Sequence, residues 1–220
     1  MRRMSPTHWV RWALKPLVFT ACLWPLAYII WGLLTDSLGA NPIRAITLET
    51  GTWTLRFLVI TLAITPLRRL ARWSDAIRLR RMLGLFAFFY GTLHFTTYIW
   101  LDQFFDVPSI VKDVMKRPFI TVGFPAFLGL LPLALTSTAG WIRRLGGRNW
   151  QRLHRLIYVS ALGGVLHYWW LVKADVQRPQ IYATLIGVLL LYRLAVAYRR
   201  RAPRPVRSTV PSADLMRRGP

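Results

Sequence analysis

The residues with the richest chemistry in this chain are its four histidines, His8, His94, His154 and His167. His94 and His167 fall inside long apolar runs, where an ionisable side chain is expensive and by default marks function. If the runs are membrane helices, His94 lies about 18 Å and His167 about 21 Å from the start of its own span, at 1.5 Å per residue. Two neutral imidazoles facing each other at one depth can fill both axial positions of a planar iron porphyrin. Room for such a slab is present on the same faces. Back from His94 come Gly91, Ala87 and Gly84, and back from His167 come Gly164, Gly163 and Ser160. The same stripes also suit close helix–helix contacts with the histidines bonded across the interface, and the residues alone leave both readings open.

His154 belongs elsewhere. It precedes His167 by about 20 Å of helix and is rotated from it by about 220°. The matching place on the earlier run holds Arg80 and Arg81, so a second ligand pair is lacking there. His154 is then either an interfacial histidine among Arg148, Arg152 and Arg155 or a further candidate metal or cofactor contact. His8 reads as a solvated tail residue. The stretch from Gly140 to Arg155 mixes Trp141 and Trp150 with Arg143, Arg144, Arg148 and Arg155. That is the composition of a membrane-interface belt, and it also suits the phosphate of a flavin or another anion. The stretch from Asp102 to Arg117, with Pro108, is either a connector or a docking loop above a redox centre.

The elements that must position these residues follow from composition. The 220 residues are 54% hydrophobic, carry 30 Lys+Arg against 8 Asp+Glu, and have a net charge of +22. With 11 Trp, 11 Phe and a mean hydropathy of +0.34, the chain has too little polar surface for a soluble nucleic-acid binder or a disordered protein. The lone Cys22 excludes an internal disulfide, a Cys-x-x-Cys-His haem attachment, an iron–sulfur cluster and a thiolate zinc site. Neither common glycine-rich nucleotide loop occurs. Six stretches approach the roughly 20 apolar residues that span a bilayer: Pro16 to Leu34, Trp53 to Leu67, Met82 to Leu101, Phe119 to Ser137, Leu153 to Val172 and Ile181 to Tyr198. The second is short and carries Arg56 near its start, where the side chain can snorkel.

The expected fold is an all-α integral membrane protein, a six-helix bundle with both termini cytoplasmic. Of the 30 Lys and Arg, 23 fall in the tails and alternate loops of one side and 6 on the other, which by the positive-inside bias fixes the orientation. Residues 1–15 read as a cytoplasmic tail and 16–198 as the membrane domain. Residues 199–220, rich in Arg and Pro, read as a disordered basic tail able to rest on anionic membrane lipid. The first apolar run exceeds a signal-peptide core and is expected to be a retained anchor. No internal repeat is evident.

Three segments carry a family resemblance: Arg81 to Tyr98 (RMLGLFAFFYGTLHFTTY), Lys116 to Ser137 ending in LPLALTS, and Asn149 to Lys173 (NWQRLHRLIYVSALGGVLHYWWLVK). They resemble the MsrQ family, formerly YedZ, of the ferric-reductase-like membrane group. The resemblance implies a bacterial inner-membrane protein with haem b, associated in the family with flavin mononucleotide (FMN). It implies electron relay from the quinone pool to MsrP, a periplasmic molybdopterin enzyme that reduces methionine sulfoxide in oxidised proteins. The family's membrane histidines fall on His94, His154 and His167, with no catalytic residue on this chain. Having one histidine in the third span departs from relatives with paired histidines in both spans. Two other classes are expected to be colourless: a small transporter or metal permease using the histidines, and an assembly factor. The charge bias predicts that a reporter active only outside the cytoplasm is silent when fused after Pro220 and active when inserted near Pro108; the reverse pattern inverts the topology.

Overall fold

In an apolar solvent every backbone N–H and C=O must be satisfied within the protein, which makes helix the default for these apolar runs. The computed structural model describes residues 9–172 and 174–201. His8, Lys173 and the outer parts of both tails lie outside the described residues. Nine α-helices follow in order: α1 (Lys15–Leu34), α2 (Pro42–Leu70), α3 (Ile77–Thr96), α4 (Val107–Lys116), α5 (Pro118–Leu135), α6 (Ala139–Leu145), α7 (Gly147–Leu153), α8 (Leu156–Leu171) and α9 (Gln177–Arg201). A π-helical turn, Val10–Leu14, leads into α1, and another, Thr97–Asp102, prolongs α3. Gly146, at φ 73°, makes the left-handed break between α6 and α7.

Among the described residues, five helical stretches are long and apolar enough to cross a membrane: Trp12–Leu34, Pro42–Leu70, Ile77–Asp102, Pro118–Leu135 and Gln177–Arg199. Helix α2 differs from the sequence expectation, reaching back to Pro42. Asn41 caps it by accepting from the Arg44 N–H at 2.9 Å, and proline is tolerated in the first turn. The polar residues that follow stay helical because Thr47, Thr50 and Thr54 donate their hydroxyls to carbonyls one turn back. Arg56 is consequently mid-helix, its guanidinium 4.4 Å from the centre of the Trp53 ring. Helix α8 also differs. It starts at Leu156 rather than Leu153 and has 16 residues, about 24 Å of rise.

Helix α2 packs along α3, and α5 along α8; the two antiparallel pairs join through α3 against α5 and α2 against α8. Helices α1 and α9 lie outside this core. Large apolar side chains such as Leu17, Trp24, Leu34, Val159, Leu191 and Leu194 point outward and exposed, as lipid contact requires.

Two outer helices are tied to the core by polar groups that repair helix defects. Pro66 has no N–H to offer the carbonyl of Leu62, four residues earlier. Arg193 of α9 supplies the missing donor, its Nη2 donating to the Leu62 carbonyl at 2.7 Å and to Thr65 Oγ1 at 3.1 Å. In α1, the Tyr90 hydroxyl enters the backbone ladder beside Pro25, donating to the Cys22 carbonyl at 2.8 Å and accepting from the Leu26 N–H at 3.1 Å. Tyr90 is fully buried and its ring stacks on Phe57, 5.3 Å between centroids. Losing the donor to a buried carbonyl costs about 1–3 kcal/mol, and Pro66→Ala restores an N–H to Leu62. Arg193→Ala should therefore destabilise the purified protein less in a Pro66→Ala background than in wild type. Additive losses in a thermal or denaturant titration would refute this coupling.

Candidate functional site

His94 lies near the end of α3 and His167 near the end of α8; α2 and α5 begin beside them. Between these four helices is a cavity of about 320 Å³ whose lining includes both histidines, Gly51, Gly91, Gly123 and Gly164. The two imidazoles are brought together, their ring centroids 5.9 Å apart and their planes at 82°.

Each ring is seated in the same way. His94 Nδ1 donates to the Thr47 carbonyl at 2.9 Å, and His167 Nδ1 donates to the Phe119 carbonyl at 2.7 Å. A carbonyl only accepts, so the proton must be on Nδ1. The Nε2 lone pair is left on both rings, with no protein partner among the described residues. Four residues after each accepting carbonyl stands a glycine. A Cβ on Gly51 would lie 3.0 Å from His94 Cε1 and Nδ1, and one on Gly123 would fall onto His167 Nδ1, with Cε1 and Cγ at 3.0 Å. These two glycines make the close approach possible. The accepting residue and its histidine are 47 residues apart in one pair and 48 in the other, so the two hairpins carry equivalent seats without a readable sequence repeat.

Of the small residues expected beside the histidines, Gly91, Gly164 and Ser160 line the cavity. Ser160 is 2% exposed and its hydroxyl has no partner among the described residues. Gly163 instead meets Ala126 of α5, an ordinary close helix contact. The carbonyls of Thr47 and Phe119 and the glycines 51 and 123 were not anticipated. The one sequence signal available was the nearly equal spacing of Gly51 to His94 and of Gly123 to His167.

Over the cavity, α4 forms a roof through Ile110 and Val114, with Tyr98, Asp102 and Arg117 at the rim. The Asp102 to Arg117 stretch is thus not a plain connector. Its ten-residue helix is capped by Asp106, which accepts from the Ser109 hydroxyl at 2.6 Å.

His154 does not reach this cavity. It occupies the corner between α7 and α8, stacked on Trp150 at 3.9 Å. The Thr136 hydroxyl is committed to the Pro132 carbonyl at 2.6 Å, so His154 Nε2–H donates to Thr136 Oγ1 at 3.2 Å. Its bare nitrogen is Nδ1, the opposite tautomer to the other two. Burial, with the nearby Arg80 guanidinium, holds this imidazole below its ordinary pKa. Arg148 and Arg155 are exposed and do not line the cavity.

Residues 50–165 match the family described as ferric reductase like transmembrane component, so the helical bundle around the two seats is a membrane domain of that class. Within the class, the chain belongs to the MsrQ family. It is 59% identical over 191 residues to the protein-methionine-sulfoxide reductase heme-binding subunit MsrQ of Herminiimonas arsenicoxydans, covering 86% of this chain and 88% of that one. The subunit of the same name from Azospira oryzae is 53% identical over 203 residues, 92% of this chain and 87% of its own. That of Rhodospirillum rubrum is 54% identical over 184 residues, 84% and 88%. No solved structure matches the chain.

The tautomers are testable by ¹⁵N NMR of histidine-labelled protein free of any cofactor. His94 and His167 should show protonated Nδ1 and bare Nε2, and His154 the reverse; Gly123→Ala should displace the His167 signals alone.

Proposed function

We propose that this chain is a six-span subunit of the bacterial inner membrane, both termini cytoplasmic, that holds a b-type haem between His94 and His167. It passes electrons outward to MsrP, the periplasmic methionine sulfoxide reductase, from the quinone pool or a reduced flavin. The observation that carries the reading is the pair of Nδ1-to-carbonyl hydrogen bonds, which leave a bare Nε2 on each of two rings that line one cavity. Metal-ligating histidines characteristically donate their other ring N–H in this way.

The residues present fit the group. The two imidazoles share one cavity, their ring centroids 5.9 Å apart, close enough that a single metal group could be held by both. The lining is largely apolar, with Leu55, Leu58, Phe127 and Leu130 among the four glycines, as a flat macrocycle requires. A haem held by His94 and His167 would supply one-electron transfer. The chain's own part is to fix both tautomers through Thr47 and Phe119, to clear the seats with Gly51 and Gly123, and to exclude water with α4. The relatives' name, heme-binding subunit of a protein-methionine-sulfoxide reductase, supports both the cofactor and the partner.

In this reading α8 is the fifth span and residues 16–198 form the membrane domain, with residues 1–15 and 199–220 as cytoplasmic tails. The corner holding His154, with Arg148 and Arg155 exposed beside it, faces the cytoplasm and is where the donor is met. An FMN phosphate would be received by those guanidinium groups. The permease reading finds less support, because no group of three or more His, Cys, Asp or Glu among the described residues could hold a bare ion.

His94→Ala and His167→Ala should each abolish the low-spin absorption spectrum of the purified, membrane-inserted protein, whereas His154→Ala should keep it. Retention of the wild-type spectrum in either of the first two variants refutes the ligand assignment, and colourless wild-type protein refutes the relay.

A further inference from the structure

Above the roof helix is a second recess, of about 380 Å³, lined by Gln103, Ser109, Lys112, Asp113, Lys116 and Arg117. It shares Asp113 with the roof, and Arg117 with the lining of the histidine cavity beneath. Lys112, Lys116 and Arg117 line it with a single carboxylate, Asp113, and that carboxylate is already committed. Asp113 Oδ1 lies 3.1 Å from Arg117 Nε, while Oδ2 accepts from the Tyr98 hydroxyl and from Gln103 Nε2, each at 3.3 Å. Lys112 and Lys116, one turn apart on α4, are exposed and have no carboxylate partner among the described residues. Arg117 Nη1 and Nη2 likewise have no hydrogen-bond partner among the described residues. The recess is therefore a cationic hollow with its internal counter-charge used up.

Its position gives the charge a use. Tyr98 stands one helical turn beyond His94 on the same face, lines the histidine cavity and bonds to Asp113, which lines the recess. An anionic group seated among Lys112, Lys116 and Arg117 would thus be separated from the redox cavity by little more than the Tyr98, Asp113 and Arg117 side chains.

We propose that this recess is the docking socket for the outer-face electron acceptor, and that the acceptor enters it with surface carboxylates. The inference rests on the electron-export reading above. Charges of this kind, exposed at a rim, steer encounter and set orientation more than they add raw affinity, and their effect fades as salt is raised.

The test uses haem-loaded, full-length protein and the purified catalytic subunit of the sulfoxide reductase from the same organism. Binding and reduction of that subunit are followed at low and high salt, for wild type and for Lys112→Glu/Lys116→Glu. Arg117 is left intact because it borders the cavity. The double variant should keep the wild-type absorption spectrum, bind at least tenfold more weakly at low salt and lose most of the salt dependence. The neutral pair Lys112→Gln/Lys116→Gln should fall between, which separates charge from misfolding. Wild-type affinity and salt dependence in both double variants would overturn the socket while leaving the haem assignment standing. A wild-type protein that has the haem spectrum yet neither binds nor reduces the subunit would overturn the export reading, and the socket with it.

Discussion

The arrangement depends on one kind of bond, an imidazole Nδ1–H donated across a helix pair to a backbone carbonyl. It fixes the tautomer, and with it which nitrogen is free to bind a metal. It also fixes the helix separation, since the ring must reach a carbonyl that lies against a neighbouring backbone. Gly51 and Gly123 follow from that geometry rather than from any preference for flexibility, because a Cβ at either place would occupy the ring's own volume. The 5.9 Å separation of the rings then results from packing one such hairpin against the other.

The same shortage of water governs the rest of the bundle. A carbonyl orphaned by Pro66 in a membrane helix has no solvent to turn to, and an arginine that the apolar surroundings would otherwise exclude becomes its partner. Arg193 is thus less a charge placed in the membrane than a donor set where a donor is missing. Tyr90 serves α1 similarly, with its ring anchored by the stack on Phe57. In each case a defect in one helix is repaired by a side chain from another, so the repair doubles as a tertiary contact that specifies which helices are neighbours.

This explains what the sequence reveals and what it hides. The all-helical class, the apolar runs, and the pairing of His94 with His167 are legible because hydropathy and one-dimensional depth suffice to find them. The seats are not, because their acceptors are backbone carbonyls, which every residue possesses. Helix α2 extends beyond its apolar run because threonine hydroxyls satisfied within the helix hide polarity that a hydropathy reading counts against it. The opposite error occurs at Leu153 to Arg155. Apolar periodicity continues through a corner that Trp150 and His154 form by bonding to the end of α5, a tertiary event with no local signature.

Because one histidine belongs to the α2–α3 hairpin and the other to α5–α8, neither hairpin alone offers two bare imidazole nitrogens. A cofactor bound by both would join them at the α3–α5 interface, through bonds far stronger than the van der Waals contacts between Phe95 and Phe127 that cross it otherwise. Whatever binds only the assembled pair stabilises it in proportion to the logarithm of its concentration over its dissociation constant. Insertion of the helices and closure of the site are therefore separable events. Hydropathy drives the first, whereas the second depends on two polar seats being complete, since a ring in the wrong tautomer would present a proton to the cavity in place of a lone pair.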